Sequence, residues 1–207
     1  GLSQEEVDAI VPISKMRTLV EERTGANAAN KFFKLNPYVA DIPDTFSKEI
    51  NGVKLLVMGT VDVGGSGCVC PEHVMLKAIL SALTYRKNDV VIMDMEAGLE
   101  HLGRGTAANM DQFIVVIEPG ARSVQTYHNV KRLAKDLGIT RVRVVANKIR
   151  DDGDEEFIRS AIPAEDLLGF IPDIIDADRQ GKSPYDFSPA AIEEIRKIKA
   201  ILDRDES

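Results

Sequence analysis

Cys68 and Cys70 stand one residue apart in the stretch GGSGCVCPEH, and they are the only two cysteines among 207 residues. Two thiols in a reducing compartment are poor candidates for a structural disulfide, so their closeness asks for another use. A CxC pair supplies two thiolates, whereas a closed zinc site takes four ligands. The missing two can come from the same pair on a second subunit, because a two-fold axis presents identical loops to each other. Thiolates suit Zn²⁺ in a tetrahedral S₄ site, and a square-planar S₄ arrangement suits Ni²⁺. A helix beginning at Pro71 would favour the thiolate form. The competing use is burial as two small apolar residues, against which the glycines at 64, 65 and 67 speak. His73 is near enough in sequence to be a third ligand, although a lone histidine in a first helical turn is more commonly solvated or capping. His101 and His128 have no evident partner.

A second place for chemistry is Asn88 to Gly105, NDVVIMDMEAGLEHLGRG. The apolar run Val90 to Met93 predicts a fully buried strand that delivers Asp94 to the carboxyl edge of a sheet, where ligands of open parallel sheets collect. An aspartate there can hold Mg²⁺ through water or can cap the next turn; both readings stand on this segment alone. Glu96 and Glu100 follow as surface charges or, for Glu96, as a water-positioning base.

The elements that must position these residues alternate in kind. Ser3 and Glu6 fit a capping box, and two short helical pieces separated by Pro12 are expected, the second ending near Gly25. Asn27 to Asn51 reads as loop, Lys54 to Val61 as a first strand, and Pro71 to about Tyr85 as a helix with proline in its first turn. After the strand before Asp94 come a short helical stretch at 104–110 and a strand at Gln112 to Ile117. Ser123 is expected to cap a helix that Gly138 stops. Then follow a strand from Val142 to Ala146 ending in Asn147 and Lys148, a helix near Glu155 to Ala161, a strand from Leu167 to Ile171, and a final helix after Ser188. Repeated strand–helix–strand units predict an α/β fold, a mostly parallel sheet with helices on both faces. The fragment Gly181, Lys182, Ser183 resembles the end of a phosphate loop, but Asp176 stands where a glycine is needed and Pro184 would obstruct the following helix. It is assigned to a loop.

Hydrophobic residues make up 44% of the chain, enough for one sizeable core, and a single domain over 1–207 is the default. With 26 basic and 33 acidic residues the net charge is −7, which speaks against a general nucleic-acid surface, although a local basic patch escapes a net count. No apolar segment approaches the roughly 18 residues of a membrane span, and no basic-then-apolar leader is present, so a soluble cytoplasmic protein without membrane partners is expected.

The stretches GLSQEEVDAI, GGSGCVCPEH, VVIMDMEAGLEHLGRGTA, FIVVIEP, LAKDLGI, VVANKIR and LLGFIP span nearly the whole chain in order. Through them the chain resembles the MinD-like branch of the deviant Walker A P-loop ATPases, and within it the CooC-type nickel-insertion accessory proteins of carbon monoxide dehydrogenase. CVCP and MDMEAGLEHL are the specific part, whereas FIVVIEP and NK point only to the wider superfamily. The resemblance implies a homodimeric ATPase that uses ATP and Mg²⁺ to load nickel into a client's metal cluster, with Ni²⁺ or Zn²⁺ held by Cys68 and Cys70. It implies Asp94 as the Walker B aspartate, Gly98 as the turn glycine near the γ-phosphate, Asn147 on the adenine, and Pro172 and Asp173 lining the base through backbone atoms. It also implies a phosphate loop and a first strand upstream of Gly1. On that expectation the chain is an incomplete product or an incorrectly started reading frame, and does not hydrolyse ATP by itself. Two other classes compete: a positioning or partition ATPase acting on membrane or DNA, against which the mixed charge of the last helix speaks, and a non-enzymatic dimer module held by zinc.

Overall fold

The computed structural model describes residues 2–26, 34–59, 71–83, 89–95, 110–172 and 174–205. It divides into two compact units, Gly1–Asp94 and Met95–Ser207.

The first unit is mainly helical. In α1 (Gln4–Asp8) the capping box forms as expected: Glu6 N donates to Ser3 Oγ at 3.3 Å, and Ser3 N donates to Glu6 Oε2 at 3.0 Å. A 3-10 turn at Ile13–Lys15 leads into α2 (Arg17–Thr24). The segment expected to be loop contains a short helix, α3 (Ile42–Thr45), and a strand, β1 (Lys48–Ile50), which pairs antiparallel with β2 (Val53–Leu55). Asn51 and Gly52, with φ of 49° and 81°, supply the two left-handed positions of a tight hairpin. The expected strand from Lys54 is thus short and belongs to a hairpin rather than to the parallel sheet. Helix α4 (Pro71–Leu83) matches its expectation. Met75 and Ile79 on it bury against Ile13, Val20, Val39 and Ile42.

The apolar run before Asp94 departs from expectation. Residues 89–95 form no strand, and Val90 and Ile92 are 84% and 87% exposed. A buried strand needs neighbours to take up its backbone groups and cover both faces. Among the described residues none pairs with this segment.

The second unit is an α/β sandwich around three parallel strands in the order β3 (Phe113–Ile117), β4 (Val142–Ile149), β5 (Leu167–Pro172). Its crossovers are α5 (Ala121–Asp136) and α6 (Asp152–Ala161). Tyr127, Val130 and Ala134 of α5 and Ile158 of α6 pack with Val115, Ile117, Val142, Val144 and Ala146 on one side of the sheet. On the other, Ala191 and Ile198 of the last helix, α9 (Pro189–Asp205), close over Val145, Leu168 and Ile171. A parallel sheet covered on both sides is the expected fold class.

Three details differ from the sequence reading. Gly120, not Ser123, is the N-cap of α5, which places Ser123 inside the helix. Two short helices, α7 (Ile175–Arg179) and α8 (Pro184–Phe187), fill the connection to α9. Pro184 opens α8 instead of obstructing it, because the first helical position needs no amide donor, and the hydroxyl of Ser183 accepts from Tyr185 N at 3.3 Å.

Candidate functional site

The carboxyl edge of the three-stranded sheet gathers Glu118 after β3, Asn147 and Lys148 in β4, and Pro172 at the end of β5. The ladder is irregular here. Ala146 pairs with Phe170 and Ile149 with Pro172, so Asn147 and Lys148 together oppose Ile171 alone. Such a bulge re-aims side chains at the end of a strand. Lys148 has a φ of 59°, in the left-handed region that a residue with a Cβ enters at a cost of about 1–2 kcal/mol. Its amide donates to Asn147 Oδ1 at 2.9 Å, and its Nζ lies 2.5 Å from Glu118 Oε1. Both ends of that ion pair are more than half exposed, so it contributes direction more than energy. The half-buried Asn147 carboxamide retains one oxygen lone pair and two amide hydrogens beyond its bond to Lys148, a donor and an acceptor side by side.

Beside this edge opens a cleft of about 650 Å³, within the size range of small-molecule sites. Ile149, Arg150, Phe170 and Pro172 line it together with the first turns of α6 and α9. The guanidinium of Arg159 lies 4.3 Å from the Phe170 ring centroid, a cation–π contact. The acids at the start of α6 are engaged in capping: Asp151 accepts from Asp154 N at 3.0 Å, and Asp154 accepts from Arg150 Nε and backbone N at 3.0 Å each. Those bonds from Arg150 hold the Asp154 carboxyl below the usual carboxylate range. Among the described residues no group of three or more His, Cys, Asp or Glu is arranged to hold a metal.

The expected site residues distribute as follows. Asn147 and Pro172 come together at the ends of neighbouring strands. Asp94 closes the first unit on an irregular segment, exposed and with no ion-pair partner among the described residues. Cys68, Cys70, Gly98 and Asp173 lie outside the described residues, as do Glu96, Glu100, His101 and the side chain of His73. Helix α4 does begin at Pro71, directly after Cys70.

One polar cluster had no sequence signal. Tyr127, fully buried on α5, donates its hydroxyl hydrogen bond to Asp166, just before β5, and Lys131 one turn on pairs with the same carboxylate. Lys131 Nζ also lies 3.1 Å from the Tyr127 oxygen. Burial raises the Tyr127 pKa, reinforced by Asp166. Burial pushes Asp166 up too, but the bonds from Lys131 and Tyr127 outweigh it and leave the carboxyl below its ordinary value. Partners 39 residues apart leave no local pattern to read. The cluster lies at the amino end of β5, opposite the Asn147 edge, and clamps α5 to the sheet.

No family model matches the sequence. The carbon monoxide dehydrogenase accessory protein CooC of Rhodospirillum rubrum is 45% identical over 206 residues, which cover 98% of this chain and 78% of that protein. The chain belongs to the CooC family of accessory proteins. An uncharacterized ATP-binding protein of Methanocaldococcus jannaschii is 42% identical over 199 residues, 92% of the chain and 77% of the relative. The fold of this CooC-family chain is also that of a ParA family ATPase from Chlorobium tepidum, with a TM-score of 0.53 at 16% identity over 92% of the chain and 74% of that structure. Among the described residues of this CooC-family chain, no helix is long and apolar enough to cross a membrane.

Proposed function

We propose that this chain is an ATP-dependent accessory protein of metalloenzyme maturation that carries nickel to a carbon monoxide dehydrogenase. The observation that carries this reading is the 45% identity with CooC along 98% of the chain. The relative described as ATP-binding supports the nucleotide part. In this reading Asn147 reads the adenine through its paired donor and acceptor, and Pro172 lines the base with Asp173 beyond it. Asp94 and Gly98 serve the phosphate end. An exposed carboxylate such as Asp94 fits the outer sphere of a hydrated Mg²⁺, which supplies charge neutralisation at the phosphates when bound. Cys68 and Cys70 hold the cargo, Ni²⁺ or Zn²⁺, jointly with the same pair of a second copy. Nucleotide and metal are then coupled if each prefers the same dimer state. The protein works in the cytoplasm, where thiolates stay reduced.

Equilibrium dialysis of the protein with Ni²⁺ and with Zn²⁺ tests the cargo site. Cys68→Ser/Cys70→Ser should abolish stoichiometric metal binding and leave ATP binding intact; undiminished metal binding would sink the assignment. Asn147→Ala should weaken ATP binding by about tenfold, the worth of a lost hydrogen-bonded pair, and leave metal binding unchanged.

A further inference from the structure

In the bulge at the end of β4, two residues share one place opposite Ile171, and they divide it against their intrinsic preferences. Asparagine enters the left-handed region far more readily than lysine, because its short side chain can bond locally. At the hairpin between β1 and β2 it does so: Asn51 has a φ of 49°. In the bulge the order is reversed. Lys148 is left-handed, with a φ of 59°, and Asn147 is not.

The contact that favours the less apt residue comes from the neighbouring strand. Ile117 is matched with Ala146, so Glu118 and Asn147 each stand one residue past the last matched pair of β3 and β4. The reversed φ takes the Lys148 side chain out of the alternation of its strand, and in that setting Nζ lies 2.5 Å from Glu118 Oε1. An exposed ion pair is weak, but the difference between asparagine and lysine in the left-handed region is small too, so the first can decide the second.

The consequence falls on Asn147. Relieved of the left-handed place, it stays in the course of β4, and its Oδ1 accepts from Lys148 N at 2.9 Å. That bond fixes which end of the carboxamide is oxygen. Were Asn147 to take the left-handed place instead, its side chain would be re-aimed. We propose that Glu118 is a positioning residue for the nucleotide base: by holding Lys148 it assigns the left-handed place of the bulge to Lys148 and keeps the Asn147 carboxamide on the base. This role rests on the reading of Asn147 as the adenine contact, and it requires no contact between Glu118 and the ligand.

The test measures ATP and GTP dissociation constants of the full chain and its variants. Adenine offers an acceptor and a donor side by side where guanine offers two acceptors, so a fixed carboxamide favours ATP. Glu118→Lys sets two cations against each other and should weaken ATP binding by about fivefold while changing GTP binding by less than about twofold. Glu118→Gln should weaken ATP binding by about twofold. The exchange Glu118→Lys/Lys148→Glu restores the pair with its ends reversed and should bring the ATP preference back to within about twofold of the parent. Circular dichroism checks that the variants are folded. Equal losses for the two nucleotides would reveal a structural role alone and overturn the proposal, as would an exchange variant that does not recover. If Asn147→Ala narrows the ATP preference and neither Glu118 variant does, the positioning role fails and the base contact stands. If the parent shows no ATP preference, or Asn147→Ala leaves it unchanged, the base contact fails and the positioning role falls with it.

Discussion

Lys148 Nζ and Glu118 Oε1 meet at 2.5 Å and bridge the ends of β3 and β4 where β4 bulges and Lys148 turns left-handed. Two costs and two contacts meet at one residue, so substitutions there separate them. Lys148→Gly removes the backbone cost and the ion pair together, terms of about 1 kcal/mol each and opposite in sign, and should leave stability within about 1 kcal/mol of the parent. Lys148→Val keeps the positive φ under a β-branched side chain and should unfold at least about 2 kcal/mol more easily than Lys148→Gly. Urea titration reads both, and equal stability of the two variants would argue that the left-handed geometry is not enforced.

Among the described glycines of the first unit, Gly59 is the strictest position. Its φ is 78°, and a Cβ there would come within 2.6 Å of both Pro12 Cβ and Ser14 Oγ. The contact is tight because Ile13 N and Ser14 N donate to Val57 O and Met58 O at 2.9 Å, which draws the two segments together. Gly59→Ala combines an unfavourable backbone with a clash and should cost about 2–4 kcal/mol. Thermal unfolding of the variant checks this, and an unchanged midpoint would contradict the close approach.

The clamp of Tyr127 and Lys131 on Asp166 gives an acid-dependent stability. The Asp166 pKa is lower in the folded chain than the ordinary 3.8, so its contribution is fully present above that value and is lost as pH falls through the folded pKa. Asp166→Asn should therefore be less stable than the parent at neutral pH, with a difference that stays constant down to about pH 4 and shrinks below it. Tyr127→Phe should cost about 1 kcal/mol, because a fully buried ring keeps its packing and loses one hydrogen bond. Denaturant midpoints between neutral pH and about pH 3 test the pair, and a gap that widens on acidification would exclude the clamp as its source.

Gly169 on β5 sets the approach of α9. A Cβ there would lie 3.2 Å from Ile198 Cγ1 and 3.4 Å from its Cδ1. Ile198 can yield a few tenths of an ångström, so Gly169→Ala should change stability by about 1 kcal/mol or less. Gly169→Val cannot be absorbed that way and should cost about 1–3 kcal/mol. Restoration by Ile198→Ala in the valine variant would confirm that the two positions share one space.

Legibility followed locality. Pro71 with its apolar stripe, Gly138 after a periodic run, and the apolar strands at 113–117, 142–149 and 167–172 each carry their signal within a few residues, and each formed. The run at Val90 to Ile92 carries the same composition and did not form, because a strand depends on neighbours that sequence composition does not report. The hairpin at β1 and β2 does carry a local signal: Asn51–Gly52 is the strongest short hairpin dipeptide, set among residues that read as loop. At the candidate site, the position of Asn147 at a strand end could be read, whereas the bulge, the turn of Lys148 and its bond to Glu118 come from the mismatch between β4 and β5, which neither strand contains alone.

That mismatch also sets where the chain can change length. From Val142 to Ala146, β4 is matched one for one with β3, and Val142, Val144 and Ala146 face the core. Loss of a single residue in that stretch would turn the core side of the strand outward. Between Ala146 and Ile149 the two-for-one spacing already holds a spare residue, and deleting one of the pair would yield an even ladder with everything before it in place. An insertion or deletion is therefore lethal to the middle of the sheet and tolerable at its carboxyl edge, so relatives can diverge in loop length and ligand preference at that edge while inheriting the same sheet.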